Sequence, residues 1–113
     1  MRILNKTKNC IIASKAILAD TFLTRAKGLL GRTLLSRDEA LVITRCQSIH
    51  MFFMKFAIDA IFVDKTNRVA GLVESIKPNQ LSPIFWKSIY VVELCEGTIL
   101  GTHTSLGDEI LLD

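Results

Sequence analysis

The run His50-Met51-Phe52-Phe53-Met54-Lys55-Phe56-Ala57-Ile58-Asp59-Ala60-Ile61-Phe62-Val63-Asp64 holds four of the six phenylalanines in a chain of 113 residues. Its second half, Phe56 to Val63, is apolar on both alternations of a period-two pattern, which predicts a strand covered on both faces. The run is too short, and too interrupted by Lys55 and Asp59, to be a membrane span. Asp59 is the anomaly. A buried carboxylate without a partner is strongly unfavourable or takes up a proton, so the strand predicts a partner for Asp59, and a basic one.

Outward from this strand the chain reads as short strands and one helix. Asp64-Lys65-Thr66-Asn67 is a hairpin loop, with Asn67 suited to a left-handed position. Val69 to Ile76 then returns antiparallel, and Gly71 inside it predicts a bulge or a close contact. A long connection containing Pro83 and Trp86 leads to Lys87 and a clear strand, Ile89 to Leu94. Glu96-Gly97-Thr98 turns the chain into a helical turn through Ile99 to His103. Leu106-Gly107-Asp108 turns it again, into a last strand from Glu109 to Leu112. On the N-terminal side, Ala40 to Thr44 is a short strand and Leu34 to Glu39 a polar loop. Cys10 to Ala19 forms one or two strands bent at Ser14-Lys15. The main helix runs from Phe22 to Leu30, capped at Asp20-Thr21 and stopped at Gly31, with Phe22, Ala26, Leu29 and Leu30 as its apolar stripe. The pattern predicts one α+β domain over residues 1–113, mainly an antiparallel sheet curled into a barrel.

Bulk properties narrow the function classes. Half the residues are hydrophobic and mean hydropathy is +0.37, which excludes a disordered chain. The net charge of +3 comes from scattered Lys and Arg, no two of them adjacent, so a nucleic-acid footprint is not expected. Three widely spaced cysteines, Cys10, Cys46 and Cys95, make no disulfide framework and suit a reducing compartment. No signal-peptide core is visible near the N-terminus, so a cytoplasmic location is expected, although a leader lost from in front of Met1 would leave the same sequence.

The residues also resemble a known family. Thr21, Arg25, Gly28-Leu29 and Arg32 look like its opening signature. Phe53-Met54-Lys55, Ile58-Asp59 and Phe62-Val63-Asp64 are similar to its central block. Glu93-Leu94, Glu96-Gly97-Thr98 and Leu106-Gly107-Asp108 are similar to its last. The family is the bacterial and archaeal "domain of unknown function 192", and the resemblance spans Ala19 to Leu111. It implies a compact β-rich single domain with no assigned reaction. Phe56 stands where the family usually has a polar residue, and the connection before Lys87 also differs from the common pattern.

Collecting the polar residues set among apolar ones gives the candidate ligand-binding set Arg25, Gly28, Arg32, Lys55, Asp59, Glu93 and Asp108. Arg25, Gly28 and Arg32 project along one line of the helix, because positions seven apart return to within about 20°. Arginine forks suit carboxylates and phosphates, and a glycine between them lets a ligand approach the backbone. The chain is therefore read as a non-catalytic module that holds a small anionic or hydroxylated ligand in an Arg/Lys/Asp-lined cleft. The bland counterpart is a structural ion network pinning helix to sheet. A protein-interaction or homodimer module, with an exposed patch near Phe85-Trp86, comes next. A metal- or Cys/His-dependent hydrolase comes last. Cys46, His50, Cys95 and His103 could supply zinc ligands, but their spacing matches no zinc module, and no cofactor is expected.

Overall fold

The computed structural model describes all residues, 1–113. In chain order the elements are β1 (Ile3–Asn5), β2 (Cys10–Ala13), β3 (Lys15–Ala19), α1 (Phe22–Lys27), β4 (Glu39–Thr44), β5 (Ile58–Asp64), β6 (Val69–Ile76), β7 (Ser88–Cys95), α2 (Thr98–Thr102) and β8 (Ile110–Leu112). They form two sheets. The larger has five strands in the order β3-β4-β7-β5-β6, and the smaller has three, β2-β1-β8. Only β3 and β4 pair in parallel; every other ladder is antiparallel.

The apolar run explains the layering. Along β5, Ile61 and Val63 face the small sheet, where Ile3, Ile12 and Ile110 meet them together with Ile99 of α2. Ile58, Ala60 and Phe62 face the other way, onto Leu29, Leu35, Ile49 and Met51. Both faces of β5 are thus covered, as its sequence predicts. Full burial of a side chain such as Phe62 is worth about 1.5–3 kcal/mol, so this one strand anchors two cores. At its end Asp64 accepts hydrogen bonds from the Thr66 and Arg68 amides at 2.9 and 3.0 Å, and Asn67 takes a left-handed φ of 64°.

Three features differ from the sequence reading: barrel closure, the start of β5 and the end of α1. The strands make two open sheets and do not close into a barrel. The chain crosses between the sheets at Ser14, so Cys10 to Ala19 is split between them. The central strand begins at Ile58, two residues later than the expected Phe56, and residues 51–57 before it form turns and bends. Met54 N–H bonds back to Met51 O at 3.2 Å and Phe53 takes φ 66°, which turns this segment into a cover laid over the sheet. Finally, α1 stops at Lys27 rather than Leu30. Its start is a reciprocal Thr21/Thr24 capping box, and its end is Gly28 at φ 50°, ψ −126°. No residue of α1 is buried; Leu29, in the turn after it, makes the anchoring contact.

Candidate functional site

The seven residues of the candidate set do not share one site, and four of them lie apart from the rest. Asp59 is fully buried, and its partners are not basic. One oxygen accepts the Ser75 amide at 2.9 Å, the other the amides of Gly97 and Ile99 at 3.1 and 2.9 Å. A carboxylate can be satisfied this way by backbone donors alone, and here it ties β5 to the irregular end of β6 and to the start of α2. Asp108 holds the far end of the small sheet through Asn5 Nδ2 at 2.9 Å, Lys8 Nζ at 2.8 Å and the Ser105 amide at 2.9 Å. Burial raises its pKa, but these donors outweigh that and hold it below the usual range. Lys55 is exposed on the segment before β5. Arg32 turns to Glu39 at 3.0 Å, on the wall of a cleft of about 540 Å³ beside β3.

Arg25, Gly28 and Glu93 do come together. In β7, Tyr90, Val92 and Leu94 point to the small sheet, so alternation sends Val91 and Glu93 to the opposite face. There Leu41 of β4 and Ala60 of β5 flank Glu93 across the ladder. The turn at Gly28 passes over it, with the direction of a Cβ on Gly28 ending 4.0 Å from Glu93 Oε1. Beside this turn opens a cavity of about 290 Å³ between α1 and residues 46–54, with Leu29, Ile43, Ile49 and Met54 among its walls. Phe22 and Phe52 stand at its mouth, and the Phe52 ring stacks on His50 at 5.1 Å between centroids.

The electrostatics of this cavity are unusual. Glu93 is only 6% exposed, and no protein donor reaches its carboxyl; burial alone pushes its pKa up to about 7. Arg25 is fixed by two backbone carbonyls. Its Nε donates to Thr44 O at 2.8 Å and its Nη2 to Arg45 O at 2.7 Å, and no carboxylate pairs with it. Cys46 lies within the field of both. Burial pushes its thiol up, a backbone hydrogen bond at Ser48 opposes that, and the charges of Glu93 and Arg25 pull in opposite directions. A thiol in such surroundings is a poor nucleophile. His50 and Cys46 line this cavity, whereas Cys95 contacts Glu96 O and His103 caps α2; no group of three or more His, Cys, Asp or Glu side chains assembles to hold a metal.

The chemistry on offer is therefore an apolar-walled pocket with an unpaired acid inside it and a backbone-fixed guanidinium on its wall. Sequence reasoning named that acid and that arginine. It missed the pocket walls, because Ile49, Phe52 and Met54 lie in residues 45–55, where the sequence predicts neither helix nor strand.

The profile of the DUF192 family, described as "Uncharacterized ACR", matches residues 3–112. Relatives include a UPF0127 protein of Thermococcus sibiricus, 32% identical over 96% of this chain and 72% of its own length. A UPF0127 protein of Pyrococcus horikoshii is 33% identical over 96% of both chains. Among solved structures, a protein of unknown function from Novosphingobium aromaticivorans superposes with a TM-score of 0.87 at 22% identity, covering 99% of this chain and 84% of that one. A Sinorhizobium meliloti structure gives 0.79 at 21% identity, over 97% and 89%. At such identities these two likenesses speak for the fold.

Proposed function

The chain belongs to the DUF192 family, and on that premise we propose that it is a non-catalytic module binding a small polar ligand in the Glu93 pocket. One observation carries this: a buried carboxyl, unpartnered within the protein, faces an open cavity. Burying an acid without a hydrogen bond costs stability, and a bound ligand that donates to it recovers that cost. Of the ligand classes the sequence suggests, a hydroxylated one fits the acid better than a simple anion, which would meet like charge there. Arg25 remains able to hold an anionic group near the cavity wall. Asp59 and Asp108 act as scaffold, and Arg32 and Lys55 lie outside this pocket. No helix is long and apolar enough to cross a membrane, and the three unpaired cysteines support a cytoplasmic setting.

A thermal-shift screen of wild type, Glu93→Gln and Arg25→Ala against polyols, amines, amino acids, small anions and nucleotides tests the proposal. A ligand at about 100 times its Kd adds roughly 2.7 kcal/mol, visible as a raised Tm. The expected result is one chemical class that stabilises wild type and not the variants; a screen without any such class removes the pocket as a ligand site. A second reading, self-association or partner docking, is favoured by the exposed Leu81, Ile84 and Trp86 on the connection before β7. Sedimentation across a concentration series separates the two, since a monomer throughout removes self-association.

A further inference from the structure

An acid and a guanidinium share the Glu93 pocket, and the protein pairs neither with the other nor with any other group of opposite charge. Arg25 spends two of its donor positions on carbonyl oxygens and meets no carboxylate. Glu93 meets no donor at all, and Cys46, on the wall of the same cavity, feels both charges. Each simple ligand class satisfies only one of them. A polyol donates to Glu93 but sets hydroxyls against Leu29, Ile43 and Ile49. An inorganic anion satisfies Arg25 and leaves the acid buried and bare. A lone amine does the reverse.

Resting on the ligand-binding reading above and narrowing it, we propose that the pocket takes a small amino-carboxylate zwitterion, of which an apolar α-amino acid is the simplest form. Its ammonium group donates to Glu93, now held ionised. Its carboxylate takes the remaining edge of the Arg25 fork, and its side chain lies on the apolar walls toward Phe22 and Phe52. A cavity of about 290 Å³ is at the small end of ligand pockets, which suits a single amino acid and excludes a nucleotide.

The test is calorimetric titration of the full chain with L-leucine, L-methionine and L-phenylalanine. Alongside them run N-acetyl-L-leucine, 3-methylbutylamine, 4-methylpentanoate and myo-inositol. At least one amino acid is expected to bind, with the leucine analogues lacking either charge at least tenfold weaker than leucine itself if leucine is the ligand. Glu93→Gln and Arg25→Gln, checked for folding by circular dichroism, should each weaken binding at least tenfold. Equal affinity for N-acetyl-L-leucine, or indifference to Arg25→Gln, overturns the zwitterion. Binding of inositol or 4-methylpentanoate without any amino acid also overturns it, but leaves a ligand site in place. Silence in every arm removes the ligand site as well. If either variant fails to fold, iodoacetamide labelling of wild type decides, followed over hours so that the slow Cys46 thiol still reacts. The amino acid should slow modification of Cys46 and not of Cys10 or Cys95, which lie outside the pocket, and unchanged labelling of Cys46 counts against the proposal.

Discussion

At the scale of residues, Glu93 and Asp59 are two buried acids with opposite energetics. The folded protein keeps Glu93 protonated up to about pH 7, whereas the unfolded chain releases that proton near the ordinary glutamate value of 4.5. The contribution of this group to stability is therefore greatest below pH 4.5, falls as pH rises to about 7, and is constant above. From the shift, the penalty above pH 7 is roughly 3 kcal/mol at most. Glu93→Gln removes the slope, so its stability relative to wild type should rise by up to that amount between pH 4.5 and pH 8. Urea unfolding at both values measures it, and a pH-independent difference would contradict the burial of this acid. Asp59, by contrast, accepts three backbone hydrogen bonds. Replacing it with Ala strands three backbone amides, each worth about 1–3 kcal/mol when unsatisfied in the interior, so Asp59→Ala should lower stability by at least 3 kcal/mol. A urea midpoint close to wild type would mean that water replaces the carboxylate. Both acids were conspicuous in the sequence because charges in apolar strands are rare. What served Asp59 was not legible there: its donors come from residues 75, 97 and 99, and only the fold brings them to one point.

At the scale of elements, the pairing of β5 with β6 depends on Gly71. A Cβ there would stand 2.2 Å from the Phe85 ring, which itself packs on Phe62 at 4.5 Å between centroids. Gly71→Ala therefore expels Phe85 from its seat or pushes β6 away. Overpacking of this kind costs typically about 1–3 kcal/mol, and the loss should be measurable by thermal unfolding. A double variant Gly71→Ala/Phe85→Ala should lose less than the sum of the two single variants, because one ring causes both effects. Additivity would show that Gly71 serves the backbone instead. The β5–β6 hairpin was legible because its apolar alternation and its turn residues agree. The helix was read three residues too long, because the stripe Phe22, Ala26, Leu29, Leu30 continues past the point where Gly28 leaves helical geometry. That stripe also misleads about burial. Phe22 is 80% exposed at the mouth of the pocket, while Leu29 alone enters the core.

At the scale of the whole molecule, the five-stranded sheet carries two unequal covers. One is the small sheet, in which β1 lies between β2 and β8 and so joins the chain's two ends, with Arg2 paired to Asp113. The other is assembled from α1, the turn after it and the segment around Met51, which contribute scattered side chains and enclose cavities on both sides of α1. Neither cover was readable as such, because each is made of short pieces distant in sequence whose apolar residues signal burial but not against what. The difference between the covers predicts a hierarchy of local stability. Amides of β5 and β7, central and paired on both sides, should exchange with solvent only through global unfolding, and those of α1, with no buried residue, should exchange fastest among the helices and strands. A ligand in the Glu93 pocket should then protect α1 selectively, since α1 forms one wall of that pocket. Removing Ile110–Asp113 acts on the other cover. It deletes the ladder that completes β1, uncovers Ile3 and Ile12, and should abolish cooperative unfolding rather than shift its midpoint. Hydrogen exchange followed by mass spectrometry reads both effects. Uniform protection across α1 and β5, or a truncated chain that still unfolds in one sharp transition, would mean that the two covers contribute equally and that the pocket wall is as rigid as the sheet beneath it.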